Sequence, residues 1–304
     1  MNFSIKKNVD LSSLSTFGIG GKAEEFVQVS TPAEIIEVLK WVKETGRKYH
    51  LFAGGSNVVF PDEGLSGVVI QIKGGNYAGK VRELIVEAGM GLSDVINLSI
   101  VRGLEGLETL SGIPGTIGGA VVGNAGAYGH SISEVVEGIE IWDGKIKRWL
   151  NRNECQFEYR ESIFKKKPFI VLRVFLKFES GNKGELQKTS KEIIIKREAK
   201  YHPGIKCPGS FFKNVLVADI SKKSLELIDQ DVVIEGKIPA GYLLAEVGAK
   251  GMRVGGIEIA AYHGNLFINK GKGTAKDVKE LAAILKKKVD DRFGIMLEEE
   301  IRYF

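Results

Sequence analysis

The chain holds two cysteines and four histidines in 304 residues, and that scarcity closes several routes at once. Cys155 and Cys207 lie far apart with no CxxC spacing, so no disulfide framework is expected and both read as reduced thiols. His50, His130, His202 and His263 are scattered, with no HExxH and no Cys/His set, so no metal site is expected. No apolar run approaches the length of a membrane span, and the first ten residues lack the apolar core of a secretion signal. A cytoplasmic protein that contacts no membrane is the expectation. Charge of one sign is also in short supply. The balance of 43 basic against 38 acidic residues leaves only +5. That excess suits anionic small molecules and is too weak and dispersed for nucleic acid. Apolar and charged fractions of 43% and 27% are those of a folded globular chain, long enough for two or three domains. There is no internal repeat and no low-complexity tract.

Two nucleotide fingerprints are missing as well. No GxxxxGK[ST] occurs, which argues against a P-loop ATPase. Gly18-Ile19-Gly20-Gly21-Lys22-Ala23 fits the loose GxGxx[GA] pattern, but Val9 to Phe17 ahead of it contains no convincing strand and the first clear helix begins only at Thr31. A Rossmann site is not expected there.

What the chain does have is glycine in one place. Residues 111–129 read SGIPGTIGGAVVGNAGAYG, with no charged residue. Without Cβ atoms such a loop can present bare backbone N–H groups to a large anionic ligand. A second small-residue turn, Ala53-Gly54-Gly55-Ser56-Asn57, follows an apolar stretch that reads as a strand end. Two such loops on separate elements predict a cradle for a long diphosphate cofactor. With both fingerprints absent, a flavin held by loops fits that description.

The rest is alternating strand and helix. Thr31-Pro32-Ala33-Glu34 is a capping box with proline at the first helical position, and Ile35, Val38, Leu39 and Val42 follow at helical spacing to a stop at Gly46. Strands are predicted at 25–29, 49–53 and 68–72, giving a βαβ unit, and again at 84–88. Ser93 is expected to cap a short helix. Strands at 138–142 and 169–178 belong to a second, more antiparallel region. A turn at 182–184 leads to a helix over 185–199, and Tyr201–Pro208 is a candidate domain boundary. Thr274 caps a last helix with the stripe Val278, Leu281, Ile284, Leu285 and Val289, which stops at Gly294. A terminal strand is predicted over 295–303.

Three segments carry polar groups in unusual company. In Tyr159-Arg160-Glu161-Ser162 the arginine can act as a guanidinium clamp for a carboxylate, or stand exposed at a strand end. In Gly209-Ser210-Phe211-Phe212-Lys213-Asn214 the serine can sit in a water-poor pocket and deliver a proton, with Lys213 and Asn214 binding phosphate or sugar, or be a buried turn serine. No spacing of the Ser-His-Asp kind is visible, so an acyl nucleophile is not expected. In Leu297-Glu298-Glu299-Glu300-Ile301, strand alternation places Glu298 and Glu300 on one face. One of these carboxylates turned inward would be a candidate for a raised pKa; the alternative is a solvated edge.

These segments together resemble the UDP-N-acetylenolpyruvoylglucosamine reductase family, in its compact subclass without an extra substrate-covering loop. The resemblance runs nearly end to end. It includes Ser15–Ala23, both glycine loops and the Arg160 and Ser210 segments. Ala240-Gly241-Tyr242-Leu243-Leu244, His263-Gly264-Asn265-Leu266-Phe267-Ile268-Asn269 and the terminal glutamates complete it. The resemblance implies an α+β fold, with a two-part FAD-binding module of the vanillyl-alcohol-oxidase type and a C-terminal α+β substrate domain. The implied division is 1–75, joined by a strand near 295–304, then 76–200, then 201–294.

It also implies non-covalent FAD reduced by NADPH. Hydride would pass from flavin N5 to C3 of UDP-N-acetylglucosamine enolpyruvate, and protonation at C2 would give UDP-N-acetylmuramate, a peptidoglycan precursor. By the same resemblance the FAD contacts are Ala53, Gly54, Gly55, Ser56, Asn57, Val58, Ser111, Gly112, Ile113, Pro114, Gly115, Thr116, Gly118, Gly119, Asn124, Gly126, Ala127 and Tyr128. Arg160 and Glu300 are the groups that stabilise enolate charge, and Ser210 is the proton donor to C2. Lys213, Asn214 and His263 are substrate-binding candidates. The family often has proline where this chain has Glu299, which leaves the choice between Glu298 and Glu300 open. A flavin-dependent oxidase with the same cofactor module, and a non-catalytic UDP-sugar-binding protein, are the alternatives.

Overall fold

A computed structural model describes residues 3–304. The chain forms two compact units. The first takes the segment ending at Val9 together with Ala23–Gly55 and Ser66–Ala199; the second takes Asp10–Lys22, Ser56–Leu65 and Lys200–Phe304. These units cut across the three-part division above. Segments 1–75 and 76–200 fall mostly in one unit, while residues 56–65 and the terminal segment 295–304 join 201–294 in the other. The last crossing, at 199/200, adjoins the boundary expected at Tyr201–Pro208.

The first unit contains a four-stranded sheet in the order Lys6–Asp10, Lys22–Val29, Leu65–Ile72, Tyr49–Phe52. Its last two strands run parallel. Helix Pro32–Glu44 connects Lys22–Val29 to Tyr49–Phe52, and its capping box forms as predicted. A second sheet has the order Lys147–Asn151, Val136–Trp142, Ile170–Lys177, Glu83–Glu87, Tyr77–Ala78, with every pairing antiparallel. Buried Ile35, Val38, Ile70, Val86, Ile139 and Val174 belong to the core that backs these sheets.

Two boundaries differ from expectation. Helix Leu92–Val101 is capped at Gly91 with no side-chain cap, so Ser93 lies inside the first turn. Helix Lys183–Lys200 begins earlier than expected, because Asn182 Oδ1 accepts from the amides of Gly184 and Glu185 and turns the predicted loop into a helix start.

In the second unit, helix Ala275–Phe293 is the main support. Thr274 caps it and Gly294 ends it in a left-handed conformation. Val278, Leu281, Leu285, Val289 and Phe293 are buried along one face, each contributing roughly 1.5–3 kcal/mol of apolar burial. The terminal strand is shorter than predicted. Only Arg302–Tyr303 pairs as a strand, parallel to Val58–Val59, and Glu299 makes an isolated bridge with Phe212. The glycines of Gly18–Ala23 have packing reasons. A Cβ at Gly20 would lie 2.6 Å from Phe60 Cβ and one at Gly21 would lie 2.4 Å from the Asp62 carbonyl. Asn269 Nδ2 donates to the carbonyls of Phe17 and Gly18 at 3.1 and 3.0 Å. A strand, not a helix, follows this turn, in line with the failed fingerprint.

Candidate active site

In the first unit the two glycine loops meet backbone to backbone. A Cβ on Gly54 would lie 2.7 Å from Gly115 Cα. Ala53 is fixed from behind by Gln71, whose Nε2 donates to its carbonyl at 3.2 Å. Thr116 caps the short helix Ile117–Val122 and accepts from the Gly119 amide. Gly118 is glycine because a Cβ would sit 2.8 Å from Ala88 Cβ. Gly119 and Gly123 are different: the nearest protein atoms to a Cβ there are 3.5 and 3.7 Å away. Protein packing does not demand glycine at these two positions, whereas a large ligand lying on this face would. The loops therefore fit a flat cofactor bearing a diphosphate.

Several members of the predicted cofactor set also have partners within the protein. Ser111 is buried and its hydroxyl pairs with Ser190 at 2.8 Å. Asn124 Nδ2 donates to the Glu158 carbonyl at 2.8 Å. Gly126 and Ala127 pair with Ser131 and His130 in a two-stranded hairpin, with Tyr128 exposed beyond Ala127. Asn124 and Gly126 also position the Arg160 turn. The arginine sits at φ 57° in a turn closed by mutual backbone bonds between Glu158 and Glu161. Its Nη2 donates to the Gly126 carbonyl at 2.7 Å, and Ser162 ties the same turn to the Val122 carbonyl. A guanidinium held this way has a fixed direction, as a carboxylate clamp requires.

In the second unit Ser210 borders a cavity of about 420 Å³, lined also by Lys200, Asn214, Lys250, Tyr262 and His263. Its hydroxyl lies 3.3 Å from Lys200 Nζ and 3.1 Å from Tyr201 OH. The Ser210 loop is held by Asn265, 2% exposed, whose side chain exchanges two 2.8 Å bonds with the backbone of Phe212. Below it the Phe211 and Phe267 rings stack at 3.7 Å. His263 Nδ1 accepts from the Asn265 amide at 3.1 Å, which leaves Nε2 to carry the proton of the neutral ring. Burial, then the charges of Lys200 and Lys250, push its pKa down to about 4. His263 is therefore a neutral donor at physiological pH. Asn214 lines the cavity while its Oδ1 accepts from the Ala240 amide at 3.2 Å.

Lys213 is the third substrate-binding candidate. It is buried and its ammonium pairs with Glu298, outside the cavity lining. That pair leaves the Glu298 side chain 69% exposed, and Glu299 pairs with Lys286. Glu300 is half-buried; its amide donates to the Phe211 carbonyl at 2.8 Å, and its carbonyl accepts from Asn57 Nδ2 at 3.0 Å. Ser56 accepts from Thr16 Oγ1 through its carbonyl, and Val58 pairs with Arg302. Residues 56–58 thus brace the terminal glutamate segment within this unit.

Lys200, Tyr201, Lys250 and Tyr262 were not singled out in the sequence. Tyr201 lies in a stretch whose prolines and glycine read as a boundary, and Lys250 and Tyr262 carry no local signal. Asn265 lies inside a motif in which nothing in the sequence distinguishes it from its neighbours. Neither cysteine is in a disulfide and both are buried, and burial pushes the Cys155 thiol up to about 12. Among the described residues no cluster of three His, Cys, Asp or Glu can hold a metal ion.

Comparison with known proteins gives the site a context. Residues 201–304 match the family described as UDP-N-acetylenolpyruvoylglucosamine reductase, C-terminal domain, and residues 23–148 match an FAD binding domain. A UDP-N-acetylenolpyruvoylglucosamine reductase of Solibacter usitatus is 42% identical over 99% of this chain and 97% of its own length. One from Caldanaerobacter subterraneus is 32% identical over 97% of this chain and 92% of its own. The crystal structure of the reductase MurB from Thermus caldophilus superposes with a TM-score of 0.77 at 31% identity, covering 99% of both chains.

Proposed function

Because the chain belongs to the UDP-N-acetylenolpyruvoylglucosamine reductase family, we propose that it reduces UDP-N-acetylglucosamine enolpyruvate to UDP-N-acetylmuramate in peptidoglycan precursor synthesis, with NADPH as electron donor. FAD, when bound, supplies the hydride that adds to the enolpyruvyl C3. The flavin-binding part comprises 1–75 with about 295–304 and 76–200, and the substrate domain comprises 201–294. Loops 53–58 and 112–119 hold the cofactor. A cytoplasmic location belongs to the same reading; among the described residues no helix is long and apolar enough to cross a membrane.

Addition at C3 puts negative charge on C2 and the carboxylate. Arg160 meets that charge with a guanidinium already aimed by Gly126. Glu300 would donate a hydrogen bond to the same enolate when its carboxyl carries a proton. Ser210 gives its hydroxyl proton to C2. Asn214, His263 and Lys213 bind the UDP-sugar, and Lys213 also orders the Glu298 segment.

The observation that carries this reading is the Ser210 hydroxyl on the wall of a cavity lined by two lysines and a neutral histidine. Such a lining suits an anionic sugar nucleotide and brings an alcohol proton to it. The test is the visible absorption spectrum under anaerobic conditions. After reduction by NADPH, addition of the enolpyruvyl substrate should restore the oxidised flavin bands. Reduced flavin that ignores this substrate and reoxidises in air would favour an oxidase, and a protein that cannot be loaded with flavin would favour a UDP-sugar-binding protein.

A further inference from the structure

A serine hydroxyl is a weak acid, and its proton can point in more than one direction. Two groups decide which. Lys200 Nζ, 3.3 Å from Ser210 Oγ, has only protons to give, so it occupies one lone pair of the oxygen. Tyr201 OH, 3.1 Å away, can either give or take. If it took, the serine proton would be locked onto the phenol and withheld from the cavity. If it gives, both lone pairs of Oγ are occupied and the serine proton has only the cavity side left.

We propose that Tyr201 is a positioning residue for the proton-donating serine: its phenol donates to Ser210 Oγ, turns the serine proton toward substrate, and restores that proton after each turnover. This rests on the reading of Ser210 as the donor to C2. Ser210 and Lys200 both border the cavity, and Tyr201 is not among its lining residues, so the phenol reaches a molecule in the cavity by way of the serine. The balance is simple. The Ser210 O–H bond breaks as the C2–H bond forms, and the alkoxide so produced faces the Lys200 ammonium and the phenol. A phenol is a far stronger acid than an alcohol, so the Tyr201 O–H proton moves to Oγ. The phenolate is left near the Lys200 ammonium, which sits 4.9 Å from the ring centroid, and regains its proton from solvent. His202 packs against Tyr262, and the Tyr262 hydroxyl donates to the Lys200 carbonyl, so the backbone beside Tyr201 is held by a bond other than that of the Tyr201 phenol.

The experiment uses the FAD-loaded enzyme and follows the two half-reactions separately in stopped flow for Tyr201→Phe, Ser210→Ala and the double variant. Tyr201→Phe keeps the ring and its lysine contact and removes only the hydroxyl. Reduction by NADPH and the calorimetric affinity of the oxidised enzyme for substrate should stay within about twofold of wild type. The substrate-dependent reoxidation should slow about 10- to 100-fold, and raising the pH should slow it further. The double variant should be no slower than Ser210→Ala alone, because a group acting through the serine has nothing left to act on. Wild-type reoxidation in Tyr201→Phe, or an equal further slowing on the Ser210→Ala background, overturns the proposal. If Ser210→Ala itself reoxidises at the wild-type rate, the serine's role as donor fails first, a result distinct from failure of Tyr201→Phe alone.

Discussion

The amide of Glu300 donates to the carbonyl of Phe211 at 2.8 Å, and the amide of Lys213 donates to the carbonyl of Glu298 at 2.9 Å. These two bonds lay the terminal glutamates alongside the loop that carries Ser210. Glu298 and Glu299 are each engaged by a lysine, Lys213 and Lys286, and Glu300 is the glutamate proposed to meet the enolate. Glu300→Gln keeps a hydrogen-bond donor and should slow substrate-dependent flavin reoxidation about 10-fold, whereas Glu300→Ala should slow it about 1000-fold. Equal losses in the two variants, measured by stopped flow, would remove the neutral-donor role.

Asn265 satisfies both the amide and the carbonyl of Phe212 from a buried position. Asn265→Ala leaves two buried backbone groups without partners, at a cost of about 2–4 kcal/mol. A lowered urea midpoint, with substrate reduction lost before flavin binding, is the expected result. Loss of flavin first would show that Asn265 supports something other than the Ser210 loop.

His263 links the cavity to pH. Its folded pKa is depressed to about 4 from an ordinary 6.5, chiefly by burial and then by Lys200 and Lys250. The unfolded chain therefore binds the proton more readily. This stability is present in full above pH 6.5 and is lost as pH falls from there toward 4, in total about 3 kcal/mol. His263→Gln should flatten that part of the pH–stability curve. A variant curve as steep as the wild type between those pH values would locate the acid sensitivity elsewhere.

Gly54 and Gly119 separate protein packing from ligand packing. Gly54→Ala drives a Cβ to 2.7 Å from Gly115 Cα, backbone against backbone, and should lower the melting temperature with or without flavin. Gly119→Ala meets nothing closer than 3.5 Å and lies in a helix, so the flavin-free protein should gain about 0.5–1 kcal/mol. The same change should weaken FAD binding by about 10-fold in a fluorescence titration. Unchanged FAD affinity would move the cofactor off this face.

Local chemistry in the chain was enough to settle much of this protein. The capping boxes at Thr31 and Thr274, the helical stripes behind them and the stop at Gly294 act within a few residues, so they are legible without a fold. The ordered motifs were likewise enough to identify the family and to nominate Arg160, Ser210 and Glu300. Where a polar side chain ends depends on long-range neighbours, and there only the tertiary structure decides. Lys213 turns to Glu298, Ser111 to Ser190 and Asn124 to Glu158, each partner remote in sequence. The predicted strand over 295–303 shrinks to Arg302–Tyr303 because only there does Val58–Val59 offer backbone partners; the preceding residues bond to the Phe211–Lys213 loop. Tyr201 sits beside Ser210 for the same reason: the turn between them, with its prolines and glycine, reads locally as a break and closes in space as a hydrogen bond.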